Sequence, residues 1–124
     1  MAKKNGIQYV EKIIKALKKL PSPLVDIKHG LSLYISNNLA RSNETRYEHI
    51  AKISHSLSEK DSAYIPKGIK NAKLRKDKYR KGTFEYIYKR KGNNDEYIRI
   101  YIKIDKKNAK VATIKTIFVT KSDK

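Results

Sequence analysis

The chain is predicted to fold as an α+β domain, with N-terminal helices packed on one face of a C-terminal antiparallel β-meander of three to four strands. Two observations predict this class. In the first half of the chain apolar residues recur at three- and four-residue steps, and after residue 83 they recur at every second residue. Such a change of period is expected where helices give way to strands. The length of 124 residues fits a single domain, 1–124, with one modest core.

The segment 1–23 is predicted to form an N-terminal amphipathic helix over residues 7–20. Asn5 is its predicted N-cap, and Pro21 and Pro23 are predicted to end it. Lysines fill the face opposite the apolar stripe, which consists of Ile7, Val10, Ile13, Ile14, Leu17 and Leu20. A basic amphipathic helix can also lie on a membrane surface. Packing of the stripe against the protein's own core is the favoured interpretation.

The segment 24–72 is predicted to hold one or two short strands followed by helices. Residues 24–35 alternate in two short pieces around His29-Gly30, which predicts one strand or two strands joined by a turn. Residues 44–57 are predicted to form a second helix. A short third helix is predicted from residue 58, because Ser-Glu-Lys-Asp at its start resembles a capping box. Ile65-Pro66 is predicted to end it, and one further turn over residues 67–72 is left open.

Residues 73–82 are predicted to be a basic loop and residues 83–120 a β-meander. Runs with a period of two predict strands over 83–90, 97–104 and 111–120, and the short turns between them make neighbouring strands antiparallel. Four isoleucines of the middle strand are predicted to face the helices. The opposite face is predicted to turn towards solvent and carries Tyr97, Arg99, Tyr101 and Lys103.

The charge of the chain indicates a nucleic-acid partner. Thirty Lys and Arg residues face twelve Asp and Glu residues, for a net charge of +18. Such a surface gains affinity for phosphates by releasing counterions. A membrane or another acidic surface is one alternative interpretation, and charge that serves only solubility is another. The predicted backbone-gripping residues lie in the most basic stretch and are Lys73, Arg75, Lys76, Lys78, Arg80 and Lys81.

Several classes of chemistry find no support in the sequence. The chain has no cysteine, which excludes disulfides and zinc sites built on Cys. Its acidic residues are dispersed, its three histidines lack zinc-ligand spacing and its glycines are isolated, so no metal or other cofactor is predicted. No apolar run approaches the roughly 18 residues of a membrane span. Lysines interrupt the start of the chain, so no Sec signal peptide is predicted, and a cytoplasmic site of action is expected.

Metal-independent acid–base chemistry is predicted to act on RNA, because the 2′-hydroxyl of RNA is an internal nucleophile beside the scissile phosphate. His49 and His55 are the candidate acid–base residues. On one regular helix their side chains would diverge by about 120°. Both can serve one site only if the helix ends or bends near residues 54–57. The alternative is that these are ordinary surface or core-edge histidines, as His29 is expected to be.

A resemblance to a known group of nucleases supports this prediction. Residues 46–57 read RYEHIAKISHSL and are followed by Tyr64-Ile65-Pro66, a basic stretch and the three predicted strands. This arrangement resembles the phage and polymorphic-toxin nucleases of the barnase–EndoU–colicin–RelE group, over roughly residues 31–120. The resemblance implies a toxin or phage-borne effector that cleaves RNA, often tRNA, without a metal and leaves a 2′,3′-cyclic phosphate. It also implies an acidic immunity or antitoxin partner.

The resemblance assigns roles to candidate site residues. The acid–base histidine of the group corresponds to His49 or His55. The basic residue that binds phosphate corresponds to Arg90, Arg99 or Lys103, and the hydroxyl of the last strand corresponds to Thr116 or Thr113. Tyr101, on the predicted polar face, is a candidate for stacking on bases. Two other functions are weighed against the ribonuclease. One is a non-catalytic nucleic-acid-binding module, and the other is a phage structural or interaction protein with incidental charge.

Overall fold

A computed structural model describes the backbone of residues 2–35, 39–41, 44–52 and 55–121, and side chains within 8–35, 45–52, 55–92 and 95–121. The α+β class is confirmed. The helices are α1 (Ala2–Lys18), α2 (Arg46–Ile50) and α3 (Glu59–Asn71). The strands are β1 (Leu24–Asp26), β2 (Leu31–Ile35), β3 (Leu39–Arg41), β4 (Glu44–Thr45), β5 (Lys73–Lys76), β6 (Thr83–Arg90), β7 (Asn93–Ile104) and β8 (Val111–Thr120).

Six strands form one mixed sheet in the order β1-β2-β8-β7-β6-β5. The predicted meander is confirmed as its β6, β7 and β8, which pair antiparallel. The predicted number of strands was too low, because β1 and β2 extend the sheet on one side and β5 extends it on the other. The pairing of β2 with β8 is parallel, so the sheet is not the purely antiparallel one that was predicted. A separate two-stranded ribbon joins β3 to β4.

The core lies between the sheet and the helices, as the alternation of the middle strand predicts. Ile98, Ile100 and Ile102 of β7 are almost completely buried, in one cluster with Ile13 of α1 and Ile65 of α3. Because successive side chains of a strand point to opposite faces, the residues between these isoleucines lie on the other face of the sheet. We call that second surface the polar face.

Two helix boundaries differ from the prediction. The second helix was predicted over 44–57, but residues 44–45 form β4 and the helix runs only from Arg46 to Ile50. The third helix does not end at Ile65-Pro66 but continues to Asn71 with Pro66 inside it. The proline gives up one intrahelical hydrogen bond. The buried side chains of Ile65 and Ile69 flank the proline and pack in the core on this helix, which offsets that loss.

Two further predictions were wrong. Asn5 does not cap the first helix, because α1 begins at Ala2. The predicted basic loop 73–82 begins as a strand, since β5 pairs with β6 along residues 73–76. Its alternation of Lys and Arg with a single Leu is too polar to indicate a strand from the sequence. β5 is the edge strand of the sheet. Basic side chains are tolerated at an edge, where they resist pairing with other chains.

Candidate functional site

A short capped helix positions Arg46 and His49 at the polar face. The α2 helix starts with a capping box in which Thr45 Oγ1 accepts a hydrogen bond from the Glu48 amide at 3.1 Å, and Glu48 Oε1 accepts one from the Thr45 amide at 3.0 Å. Arg46 and His49 are three residues apart and therefore share one side of the helix. Arg46 Nη1 donates to the Lys115 carbonyl oxygen at 2.8 Å, which fixes α2 against β8.

A β-bulge in β8 brings two neighbouring side chains to the same site. Tyr101 of β7 lies opposite Thr116, whereas the next residue, Ile102, lies opposite Ile114. Lys115 is therefore the extra residue of the bulge. In a regular strand Lys115 and Thr116 would point to opposite faces, but here both line the same cleft.

This cleft has a volume of about 370 Å³ and lies between α2, the loop 77–82, the start of β6, the last residues of β7 and the bulge in the middle of β8. Five of its nine lining residues are Lys or Arg, and none of the nine is Asp or Glu. A concave surface of this composition attracts and concentrates anions. The lining residues are Arg46, His49, Arg80, Lys81, Thr83, Tyr101, Lys103, Lys115 and Thr116. We call it the cationic cleft.

Burial and repulsion change the acidity of groups in the cationic cleft. Partial burial lowers the pKa of Lys115, and the positive charges of Arg46 and Lys103 lower it further. Burial and the nearby Glu85 carboxylate raise the pKa of the Tyr101 hydroxyl, so Tyr101 stays protonated at neutral pH. The cleft thus combines a lysine that gives up its proton more readily than usual with a tyrosine that keeps its own.

Two buried polar atoms beside the cationic cleft lack a partner. Neither Arg46 Nε nor Thr116 Oγ1 makes a hydrogen bond within the described part of the chain, although both atoms are shielded from solvent. Buried polar groups are hydrogen-bonded in the great majority of cases, because an unmade hydrogen bond costs about 1 to 3 kcal/mol. A donor and a hydroxyl held in this way suit a ligand with acceptor oxygens.

The two candidate histidines are adjacent, although only one lines the cleft. Because α2 ends at Ile50, the chain turns and returns His55 to His49, with ring centroids 5.2 Å apart in an edge-to-face arrangement. His55 Nδ1 lies 3.2 Å from the Ile50 carbonyl oxygen, and its ring lies 5.9 Å from that of Phe118. Burial lowers the pKa of His55, and the neighbouring His49 lowers it further. The required break of the helix is present, four residues earlier than the sequence indicated.

The two candidate arginines of the strands lie outside the cationic cleft, where carboxylates hold them. Arg99 is 8% exposed, its Nη1 lies 3.0 Å from Glu85 Oε2, and its Nε donates to Thr120 Oγ1 at 3.1 Å. The predicted solvent-facing position is therefore wrong for Arg99. Arg90 pairs with Asp61 at 2.7 Å and with Glu96 at 3.0 Å, and its hydrogen bond to Asp61 raises its pKa.

The remaining predicted residues divide between the cleft and other surfaces. His49, Tyr101, Lys103, Thr116, Arg80 and Lys81 meet in the cationic cleft. Thr113 lies opposite Lys103 in the sheet but does not line the cleft. Lys73 and Arg75 line a second pocket at the end of the sheet away from the cationic cleft, and Lys76 and Lys78 are exposed.

Sequence reasoning gave no role to three residues of the cleft, Arg46, Thr83 and Lys115. The spacing of three residues between Arg46 and His49 was a usable signal once a helix had been predicted there. For Lys115 the signal was a slip in the apolar alternation of the last strand, from Ala112 and Ile114 to Ile117. A slip of one residue in a two-residue period indicates a bulge.

Two searches of the described residues concern other kinds of site. None of the helices in this part of the chain is long and apolar enough to cross a lipid bilayer. The same residues contain no group of three or more His, Asp or Glu side chains that could hold a metal ion. Comparison with protein-family models, curated proteins and solved structures found no match to the chain.

Proposed function

We propose that this protein is a metal-independent endoribonuclease that binds the scissile phosphate of RNA in the cationic cleft. The observation that carries the proposal is the meeting of His49 with five Lys and Arg side chains in one concave site. The site also holds the buried Thr116 hydroxyl, which has no hydrogen-bond partner among the described residues. Cations and hydroxyl donors stabilise the extra negative charge of a phosphorane-like transition state. A histidine in the same site supplies an imidazole that can accept a proton.

The proposed reaction needs only groups that line the cleft. His49 takes the proton of the 2′-hydroxyl, the 2′-oxygen attacks phosphorus, and the bond from phosphorus to the 5′-oxygen breaks. Lys115, whose pKa is lowered, gives its proton to the leaving oxygen. The products are a 2′,3′-cyclic phosphate and a 5′-hydroxyl. Arg46 and Lys103 hold the non-bridging oxygens, and Thr116 donates its hydroxyl to one of them.

His55 is proposed to position the proton acceptor and not to contact RNA. Its ring stands edge-on to that of His49 at 5.2 Å and is held from the other side by Phe118. This packing limits the rotation of the His49 ring. His55 Nδ1 faces the Ile50 carbonyl oxygen, so the imidazole has a partner outside the cleft.

The competing function is a nucleic-acid-binding module without catalysis. It requires the same cations but does not require His49 or Thr116 in the cleft. The placement of both beside Lys115 therefore favours the enzyme. An acidic immunity or antitoxin protein, implied by the resemblance to toxin nucleases, would fit the cationic cleft by charge complementarity, and it remains part of the proposal.

The proposal is tested by incubating the purified protein with total tRNA, and separately with duplex DNA, in EDTA. We expect discrete RNA fragments with 2′,3′-cyclic phosphate ends and intact DNA, because DNA lacks the nucleophile. His49→Ala is expected to slow cleavage by about 10²- to 10⁴-fold, the usual contribution of a general base. Denaturing gels and end-group analysis measure both effects.

His29→Gln is the matched control, because His29 lies beside Asp26 at 2.8 Å and does not line the cationic cleft. This variant is expected to cleave as the wild type does. Intact RNA that shifts on a native gel in a salt-sensitive way would replace the ribonuclease by the binding module. Cleavage that survives His49→Ala would remove His49 from the reaction.

A further inference from the structure

A second concave site lies at the end of the sheet away from the cationic cleft, where its lining comes from both faces of the sheet, and nothing in the proposed reaction uses it. It has a volume of about 430 Å³ and lies between α3 and the free end of β6, beyond the start of the edge strand β5. Its lining includes three tyrosines, one side-chain amide and two of its basic side chains. These six lining residues are Tyr64, Tyr88, Tyr97, Asn71, Lys73 and Arg75. We call it the tyrosine pocket.

The aromatic wall of the tyrosine pocket is built into the core. The rings of Tyr64 and Tyr88 lie 6.3 Å apart at an angle of 51°. A Cβ atom at Gly68 would lie 2.3 Å from Tyr88 Cζ. Only glycine at position 68 therefore lets the Tyr88 ring pack this closely under α3. Tyr88 lies opposite Ile98 and so shares the buried face of the sheet, whereas Tyr97 lies on the polar face and contributes a third ring to the pocket at the free end of β6.

One polar group in this wall lacks a partner. Tyr88 is 7% exposed, and its hydroxyl makes no hydrogen bond within the described part of the chain. Burial raises the pKa of Tyr88, as does the nearby Asp61 carboxylate, so the hydroxyl is a hydrogen-bond donor at neutral pH. The Asn71 side chain adds an amide, which can both donate and accept. These groups suit a ring that carries carbonyl oxygens and ring nitrogens.

The charges around the tyrosine pocket favour an anionic ligand. Three of its nine lining residues are Lys or Arg, and none of the nine is acidic. Arg75 is paired with Glu85 at 2.7 Å, whereas Lys73 and Lys89 are exposed at the rim. A flat hydrogen-bonding ring attached to a phosphate satisfies both the aromatic wall and the basic rim. This is the chemistry of a nucleotide.

The two sites are arranged along one strand. Tyr97 lines the tyrosine pocket and Tyr101 lines the cationic cleft. They lie on the same face of β7, and four residues of a strand span about 14 Å at about 3.4 Å per residue. Arg99 lies between them, held by Glu85. A single strand whose phosphate occupies the cleft can therefore follow β7 and reach the pocket within a few nucleotides.

We infer that the tyrosine pocket is a nucleobase subsite, which accepts one unstacked base of a single strand whose phosphate lies in the cationic cleft. The base stacks on Tyr97 and hydrogen-bonds with Tyr88 and Asn71, while Lys73 and Lys89 contact the adjoining phosphate. The inference rests on the proposed function in one respect, because the strand is the one that the cleft binds. Cleavage is not required for it.

The test uses binding and not activity. Fluorescein-labelled 2′-O-methyl RNA oligonucleotides, which lack the nucleophile, are titrated with the protein and followed by fluorescence anisotropy. Stacking of a base on an aromatic ring is worth about 1 to 3 kcal/mol, so Tyr97→Ala is expected to weaken binding by roughly tenfold or more. Tyr34→Ala is the control, because Tyr34 is an exposed tyrosine that lines neither site.

A scan with abasic nucleotides locates the base. In the wild type one position is expected to lose about as much affinity as Tyr97→Ala does, and the variant is expected to ignore the missing base at that position. Asn71→Ala, whose side chain is exposed, is expected to reduce preference among bases at the same position. Equal affinity of Tyr97→Ala and the wild type, or an equal loss at every abasic position, would overturn the subsite. So would a wild-type protein that does not bind the probe.

The experiments distinguish a failure of the ribonuclease proposal from a failure of the nucleobase subsite. If the protein cleaves RNA but Tyr97→Ala binds the probe normally, the ribonuclease stands and the subsite is wrong. If RNA stays intact while one abasic position and Tyr97→Ala produce matching losses, the subsite stands on a binding protein. Lys103→Ala is expected to weaken binding at all positions alike, because it contacts phosphate and not base.

Discussion

At the scale of single residues, neighbouring carboxylates decide which cations can serve a ligand. Arg99 and Arg90 are as basic as Arg46, but Glu85 and Asp61 bind them and commit them to holding strands and helices together. Removing one partner of such a buried pair is costly, because it leaves a charge without compensation. None of the nine residues that line the cationic cleft is acidic, and this is why the proposal assigns phosphate binding to its Lys and Arg side chains.

His55 is predicted to make the fold less stable in acid. Its pKa is lowered, first by burial and then by His49, so below its ordinary pKa of about 6.5 the unfolded chain binds a proton that the folded chain resists. The stability that this group contributes is present above about pH 6.5 and is lost as pH falls towards the lowered pKa. Thermal unfolding of the wild type and of His55→Gln, at about pH 7.5 and about pH 5.5, measures the effect.

The variant is expected to lose less thermal stability on acidification than the wild type. Carboxylates titrate in both proteins and therefore cancel in the comparison. An equal loss in the two proteins would mean that the His55 ring is not desolvated beside His49. The same result would weaken its proposed role as a positioning residue.

At the scale of elements, the sequence predicts what is periodic and local. The α1 helix and the strands β6, β7 and β8 were predicted because their apolar residues repeat over ten or so positions. The capping box at Ser58 was also predicted, and it is present with Asp61 as its partner. What could not be predicted depends on contacts distant in sequence. The edge strand β5 is basic and takes its conformation from pairing with β6, and the parallel pairing of β2 with β8 has no local signal.

The residues of the candidate site show the same difference between what local sequence predicts and what depends on distant contacts. His49, Tyr101, Lys103 and Thr116 were candidates because their residue types and strand positions suit phosphate chemistry. Arg99 and Arg90 have the same residue type, but their carboxylate partners lie 14 and 29 residues away in sequence. No spacing rule shows that pairing. The contact between the two histidines depends on where α2 ends, and the end of a five-residue helix is set by tertiary packing.

The packing of α3 on the sheet is predicted to require glycine at position 68. A Cβ atom there would lie 2.3 Å from the Tyr88 ring, so Gly68→Ala must displace a buried side chain. Overpacking of this kind costs about 1 to 3 kcal/mol, whereas alanine gains about 1 kcal/mol of helix propensity over glycine. We therefore expect a lower free energy of unfolding in urea.

A second background separates the two contributions. In Tyr88→Leu the ring is absent, so a further Gly68→Ala change is expected to be neutral or stabilising. If Gly68→Ala raises the stability of the wild type, the close approach of α3 to Tyr88 is wrong. The wall of the tyrosine pocket would then be looser than described.

At the scale of the whole molecule, the net charge acts over long distances, whereas the fold acts locally. The net charge of +18 produces a field that draws polyanions to the protein from any direction and weakens with salt. In the proposed complex, the fold determines where the nucleic-acid strand binds and in which direction it runs. Carboxylates pair with Arg75, Arg90 and Arg99 of the sheet, whereas no residue that lines the cationic cleft is acidic. In the proposed complex, Tyr101 and Tyr97 then give the strand a path along β7.

This division predicts which lysines and arginines control the salt dependence of RNA binding. Arg80→Ala/Lys81→Ala removes two cations of the cleft, and each phosphate contact to a single strand contributes about 0.7 to the slope of log K against log salt. We expect weaker binding and a slope reduced by roughly 1 to 1.5, measured by anisotropy on 2′-O-methyl RNA. Lys12→Ala/Lys15→Ala removes the same charge from exposed positions on α1, away from the cleft, and is expected to change the slope little. Equal slopes in the two double variants would mean that RNA binding depends only on total charge. The proposal that the cationic cleft is the phosphate site would then be wrong.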